Sequence, residues 1–180
     1  MNSSQFYSFL QKNFPFQPTY QQDIFFQKIA IFLTEIENNT IFVLKGYAGT
    51  GKTTVISTLV NSLSGINKKA VLLAPTGRAA KVIANYSEGG VSFTLQPNKH
   101  KNTIFIVDEA SMISDTNSDS KLYENGSLLD DLISYVYSGT NCKMILLGDT
   151  AQLPPVNLDI SPALDIDTLS LHYNKEIDHI

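Results

Sequence analysis

The chain has 180 residues, 43% of them hydrophobic and 10% aromatic, which is enough for one well-packed core and one domain. With a charged fraction of 17% and a formal net charge of −4, it has no broad basic surface for gripping a phosphate backbone, so any nucleic-acid contact is local. A lone cysteine, Cys142, excludes an internal disulfide and reads as a reduced core residue, and no window approaches roughly eighteen apolar residues, so a cytoplasmic protein with no membrane segment is expected.

The stretch PTYQQDIFFQKIAIFLTEI carries apolar residues at Ile24, Phe25, Ile29, Phe32, Leu33 and Ile36. That helical spacing begins just after Thr19, with Gln22 three residues on, and predicts a capped amphipathic helix. Thr40 to Leu44, Ala70 to Ala74, Thr103 to Asp108 and Cys142 to Asp149 are short apolar runs without polar alternation, the pattern of parallel strands covered on both faces. Helices are expected between them at Lys52 to Leu63, Arg78 to Tyr86 and about Ser127 to Tyr137. Strand and helix therefore alternate, which predicts an α/β fold with a doubly wound, mainly parallel sheet and helices on both faces. The polar tracts SEGG, QPNKHKN and SDTNSDSKLYENGS read as surface segments, not as linkers between domains. One domain over 1–180 is expected, with an N-terminal helical segment at 1–39, a core at 40–157 and a C-terminal extension at 158–180.

GYAGTGKTT, Gly46 to Thr54, fits Gly-x-x-x-x-Gly-Lys-Thr directly after a predicted strand and directly before a predicted helix. Glycines let such a P-loop wrap so that backbone N–H groups and the helix N-terminus face phosphate. Lys52 then reaches the β and γ oxygens, and the Thr53 hydroxyl is a ligand for Mg2+. The candidate nucleotide-binding residues are Gly46, Ala48, Gly49, Thr50, Gly51, Lys52, Thr53 and Thr54. The third strand ends in Asp108 and Glu109 at the sheet edge where ligands of open α/β sheets collect. Asp108 is the candidate metal ligand and Glu109 the candidate general base for an attacking water, a pairing that favours hydrolysis over a small-molecule kinase. In GDTAQLPPV, after the fourth strand, Gln152 precedes two prolines that stiffen the exit. His100, His172 and His179 lack metal-ligand spacing and read as solvated loop residues, and Phe93, Phe105 and Tyr123 read as packing residues.

In this order, GYAGTGKTT, APTGRAAKVI, IVDEASMI and LLGDTAQLPPV resemble motifs I, Ia, II and III of superfamily 1 DNA helicases, nearest to the RecD-like branch. The blocks run from Gly46 to Val156, PTYQQ ahead of them looks like the adenine-recognising glutamine motif, and LDISPALD, Leu158 to Asp165, resembles a segment that follows motif III in bacterial members. The resemblance implies the first RecA-like P-loop NTPase domain of a motor that uses ATP and Mg2+ to move 5′ to 3′ along single-stranded DNA and separate duplex. It implies that Gln22 contacts the adenine edge, that Lys52, Glu109 and Gln152 serve catalysis, with Gln152 sensing the γ-phosphate, and that Thr53 and Asp108 hold the metal. Pro75, Thr76 and Arg78 would lie against the DNA backbone. By the residues alone, Gln22 is equally a member of a capping box, Arg78 a solvated first-turn residue and Lys81 a solvated helix residue.

Two departures from the family pattern stand beside the matches. The connection VSFTLQPNKH is short where relatives of this branch carry a Thr-Ile-His block that touches DNA, and the chain stops at HYNKEIDHI, ahead of the motifs of a second RecA-like domain and their arginines. A weak ATPase without unwinding is expected of the chain alone, with that second domain as its partner in a full-length protein. The alternatives are a non-catalytic ATP-binding interaction module and a P-loop ATPase acting on RNA or protein.

Overall fold

A computed structural model of the chain describes residues 1–36, 39–73, 98–113, 127–149, 151–152 and 160–180. The strands are β1 (Thr40–Lys45), β2 (Lys69–Leu73), β3 (Thr103–Val107), β4 (Lys143–Gly148) and β5 (Glu176–His179). All pair in parallel, in the order β2-β3-β4-β1-β5. The helices are α1 (Ser3–Asn13), α2 (Tyr20–Thr34), α3 (Lys52–Ser62), α4 (Leu128–Ser138) and α5 (Ile166–Tyr173).

The unbroken apolar runs have a direct cause. Successive side chains of a strand point to opposite faces, and here both faces are covered. Phe42, Leu44, Ile104, Ile106, Ile145 and Leu147 join the core beneath α1, α2 and α3, while Ile41, Val43, Phe105, Val107, Met144 and Leu146 join the core beneath α4 and α5. Burying each of these side chains contributes about 1.5–3 kcal/mol. The four apolar runs appear as β1 to β4 with ends shifted by a residue or so, and Ala74 lies outside the described residues. The helix expected at Arg78 to Tyr86 lies outside them too.

Other differences follow from local chemistry. α2 ends at Thr34, so Ile36 is off its buried face and 92% exposed. The helix start is as expected: the Thr19 hydroxyl accepts the Gln22 N–H at 3.3 Å, and Gln22 Oε1 accepts the Thr19 N–H at 3.0 Å. α1 was not anticipated, although Asn2 and Gln5 form the same reciprocal box. The two helices meet through Asp23, which accepts from the Tyr7 hydroxyl at 2.7 Å and from Gln11 Nε2 at 2.8 Å, and the Tyr7 bond holds its carboxyl below the usual carboxylate range.

β5 and α5 complete the sheet and its second layer: Leu169 of α5 is fully buried, β5 pairs with β1, and Lys28 of α2 donates to the His179 carbonyl at 2.8 Å. His172 and His179 therefore sit in α5 and β5, not in loops. The entries to β2, β3, β4 and β5 share one device, an asparagine with φ between 49° and 55° one or two residues ahead of the strand: Asn67, Asn102, Asn141 and Asn174. Asparagine tolerates this left-handed conformation better than other residues with a side chain. Lys143, at the start of β4, is only 1% exposed; its ammonium donates to the carbonyls of Phe32 and, at 3.0 Å, Glu35, closing the C-terminal end of α2. No described helix is long and apolar enough to cross a membrane.

Candidate functional site

Strand order sets the site. β4 lies between β1 and β3, with Lys45 level with Gly148 and Val107 level with Leu146, so the segments leaving all three strands emerge at one sheet edge. The Gly46 N–H donates to the Gly148 carbonyl at 3.1 Å, tying the loop after β1 to the end of β4. The Asp108 N–H donates to the Leu73 carbonyl at 2.8 Å, tying the acidic pair to the end of β2.

The loop from Gly46 to α3 turns through two glycines in the left-handed region, Gly49 at φ +80° and Gly51 at φ +87°. Gly51 is the N-cap of α3 and supplies no side-chain cap, so the first turn of the helix carries no capping side chain that would compete with an anion for its N–H groups. Lys52 folds back over the loop, its ammonium donating to the carbonyls of Gly46 and, at 2.8 Å, Tyr47. The Thr50 hydroxyl donates to the same Tyr47 carbonyl at 2.8 Å. Gln22 braces the loop from the side: while its Oε1 closes the α2 capping box, its Nε2 donates to the Thr50 carbonyl at 3.3 Å, and a Cβ at Gly51 would lie 2.7 Å from that nitrogen. Its capping role and its place against the loop thus coexist.

At the end of β3, Asp108 and Glu109 are both exposed. Asp108 Oδ1 accepts the Glu109 N–H at 2.9 Å, and Glu109 holds φ +54°, a conformation costing about 1–3 kcal/mol for a residue with a side chain. That turn leads into a short 3-10 helix, Ala110–Met112, whose Ser111 hydroxyl donates to Gln152 Oε1 at 2.9 Å. The acidic turn and the glutamine segment are therefore joined by a side-chain hydrogen bond.

Among the described residues, two cavities flank the loop. One of about 800 Å³, within the size range of small-molecule sites, is lined by Phe14, Phe16, Gln17, Gln22, the loop and Ile180. The other, about 460 Å³, is lined by Lys52, Thr53, Leu73, Ile106 and Asp108. Thr53 and Asp108 thus line one cavity with the lysine, and the hard oxygen donors that these residue types carry suit magnesium, which keeps several of its own waters. Among the described residues no group of three or more His, Cys, Asp or Glu is placed to hold a metal by side chains alone.

Of the sequence-predicted residues, Gly46, Gly49, Thr50, Gly51, Lys52 and Thr54 line the larger cavity, together with Gln22, and Ala48 is exposed on the loop. Pro75, Thr76 and Arg78 lie outside the described residues, as do Lys81, Phe93 and Tyr123. Phe105 is core, stacked edge-on against His100 and Tyr135. Sequence reasoning missed Phe14, Phe16, Ser111 and Ile180. An aromatic cluster just ahead of the capping box signals the first two, but Ile180 reaches the loop only because β5 pairs with β1, where its carbonyl accepts the Lys45 N–H at 2.7 Å.

A family model described as an AAA domain matches residues 27–159. The chain is 29% identical over 142 residues to the ATP-dependent RecD2 DNA helicase of Deinococcus radiodurans, a match covering 71% of this chain and 18% of that protein. It is 29% identical over 158 residues to the RecD subunit of the RecBCD enzyme of Buchnera aphidicola, covering 76% of this chain and 26% of the subunit. It is also 33% identical over 148 residues to an uncharacterized protein of Methanocaldococcus jannaschii, covering 66% and 12%. The chain spans between 12% and 26% of the length of these relatives.

Proposed function

Because the chain belongs to the AAA domain family and is related to the N-terminal ATPase domain of RecD-like superfamily 1 helicases, we propose that it binds ATP with Mg2+ and hydrolyses it as the motor part of a DNA helicase. What supports this most is one arrangement: the glycine loop after β1, the acidic pair after β3 and Gln152 after β4 leave a single sheet edge, with β4 between the other two strands.

On this reading the phosphates sit over the N-terminus of α3, where backbone N–H groups and the helix dipole favour negative charge. Lys52 exchanges its bonds to the Gly46 and Tyr47 carbonyls for phosphate oxygens, so the loop opens at little net loss of hydrogen bonding. The Thr53 hydroxyl and the Asp108 carboxylate are the groups that would hold Mg2+, which when bound would supply positive charge against the phosphate oxygens. Glu109 accepts a proton from water as the water oxygen bonds to the γ-phosphorus, and the bond from that phosphorus to the bridging oxygen breaks, its electron pair leaving with ADP. The Gln152 amide donates to the γ-phosphoryl oxygens. The base of the nucleotide occupies the larger cavity, beside Gln22 and the phenylalanines.

The polymer acted on is single-stranded DNA, contacted through Pro75, Thr76 and Arg78, with 5′ to 3′ movement requiring a second RecA-like domain. A net charge of −4 suits a narrow contact that neutralises only a few phosphates. The test compares binding to single-stranded DNA, single-stranded RNA and no polymer across a salt series, with ATP turnover followed in parallel. Salt-sensitive DNA binding, weakened by Arg78→Ala with nucleotide affinity unchanged, is expected. A preference for RNA overturns the DNA assignment.

A further inference from the structure

Gln152 is exposed at the sheet edge, yet both its backbone and its side chain are held. Its N–H donates to the Asp149 carbonyl at 3.2 Å, and Asp149 Oδ1, on a residue only 6% exposed, accepts the Ala151 N–H at 2.9 Å. The side chain is fixed from the other direction, by the Ser111 hydroxyl on Oε1. Ser111 is 2% exposed, so it does not swing with solvent. Its turn is anchored in turn: the Ser161 hydroxyl lies 3.0 Å from both the Ala110 and Ile113 carbonyls. Leu164, three residues on, packs so closely on Gly148 that a Cβ there would lie 2.4 Å from it.

A primary amide has one accepting and one donating end of nearly equal size, and rotation of the group exchanges them. Only the donating end stabilises an anionic phosphoryl group; the oxygen repels it. We propose that Ser111 is the positioning residue for Gln152: by donating to Oε1, it commits the amide to presenting Nε2 as a donor to the γ-phosphate. This rests on the ATP reading above and deepens it, because it assigns the wiring between the acidic turn and the residue that tells ATP from ADP.

The test is equilibrium binding of ADP and of the non-hydrolysable β,γ-imido analogue of ATP, with Mg2+, to the wild-type chain and to Ser111→Ala, Gln152→Ala and the double variant. Ser111→Ala should cut the preference for the analogue over ADP about three- to tenfold, the loss of one well-placed hydrogen bond, while ADP affinity stays unchanged. In the Gln152→Ala background the same change should add nothing. Gln152→Glu, which keeps the acceptor for Ser111 but removes the donor, should lower analogue binding selectively even if Ser111→Ala fails to fold. An unchanged preference in Ser111→Ala, an equal loss for both nucleotides, additive effects in the double variant, or a Gln152→Glu chain that still prefers the analogue overturns the proposal. A wild-type chain that binds neither nucleotide is a different failure: it removes the ATP reading itself.

Discussion

Replacing Gly51 with alanine separates two contributions that the loop combines. At φ +87° an alanine Cβ costs about 1–2 kcal/mol in backbone conformation alone. The same Cβ would lie 2.7 Å from Gln22 Nε2, so the amide must swing away and give up its 3.3 Å bond to the Thr50 carbonyl, a further loss of about 0.5–1.5 kcal/mol. Gly49 is the internal control, since at φ +80° it has the conformational cost but nothing within 4 Å of its Cβ. Gly51→Ala should therefore destabilise the chain by about 2–3 kcal/mol and Gly49→Ala by about 1–2 kcal/mol, read from urea unfolding. In a chain of this size the larger loss lowers Tm by roughly 4–12 °C. In a Gln22→Ala background the difference between the two glycine variants should vanish. Equal losses in the wild-type background, or a difference that survives removal of Gln22, would refute the brace between α2 and the loop.

Lys143→Met keeps the volume of a buried side chain but strips the donor from the Phe32 and Glu35 carbonyls, and should cost about 2–3 kcal/mol in urea unfolding; a loss under about 0.5 kcal/mol would contradict the capping role. Asp23, held below the usual carboxylate range by the Tyr7 hydroxyl, contributes stability that is present above the unfolded value near about pH 4 and is lost as pH falls through its lower folded value. The stability gap between wild type and Asp23→Asn should accordingly be open at neutral pH and close on acidification, and a gap that widens in acid would contradict that assignment. Burial pushes the Cys142 thiol up and leaves the residue 1% exposed, so iodoacetamide should label it only after unfolding; modification of the folded chain at the unfolded rate would place Cys142 outside the core.

The elements legible in the sequence were those whose own composition dictates them. β1 to β4 are unbroken apolar runs because both faces are covered, and α2 is marked by Thr19 and Gln22 ahead of a helical apolar spacing. The glycine loop was equally plain, since its two left-handed positions accept little but glycine. α1 was marked as well, by Asn2 and Gln5, yet its buried face rests on Phe6 and Leu10, too few positions to reveal a period. β5 was not legible: EIDH has no apolar run, and its strand character comes from pairing with β1, a contact across more than a hundred residues of chain. The same non-local pairing brings Ile180 to the loop. At the site, sequence named the ends of the strands but not their lateral order. That β4 lies between β1 and β3, which puts Gln152 beside the acidic turn and within reach of Ser111, is a property of the sheet and not of any one segment.

On the proposed reading the loop Gly46 to Thr54 and the pair Asp108 and Glu109 form one ATP-hydrolysing site, and the most direct test is Mg2+-dependent phosphate release and ATP binding measured together on wild type, Lys52→Ala and Glu109→Gln. The expected result is slow turnover by the wild type, loss of binding or turnover in Lys52→Ala, and full ATP affinity with turnover abolished in Glu109→Gln. ATP bound and hydrolysed as well without Lys52, or hydrolysed as fast without the Glu109 carboxylate, would contradict it.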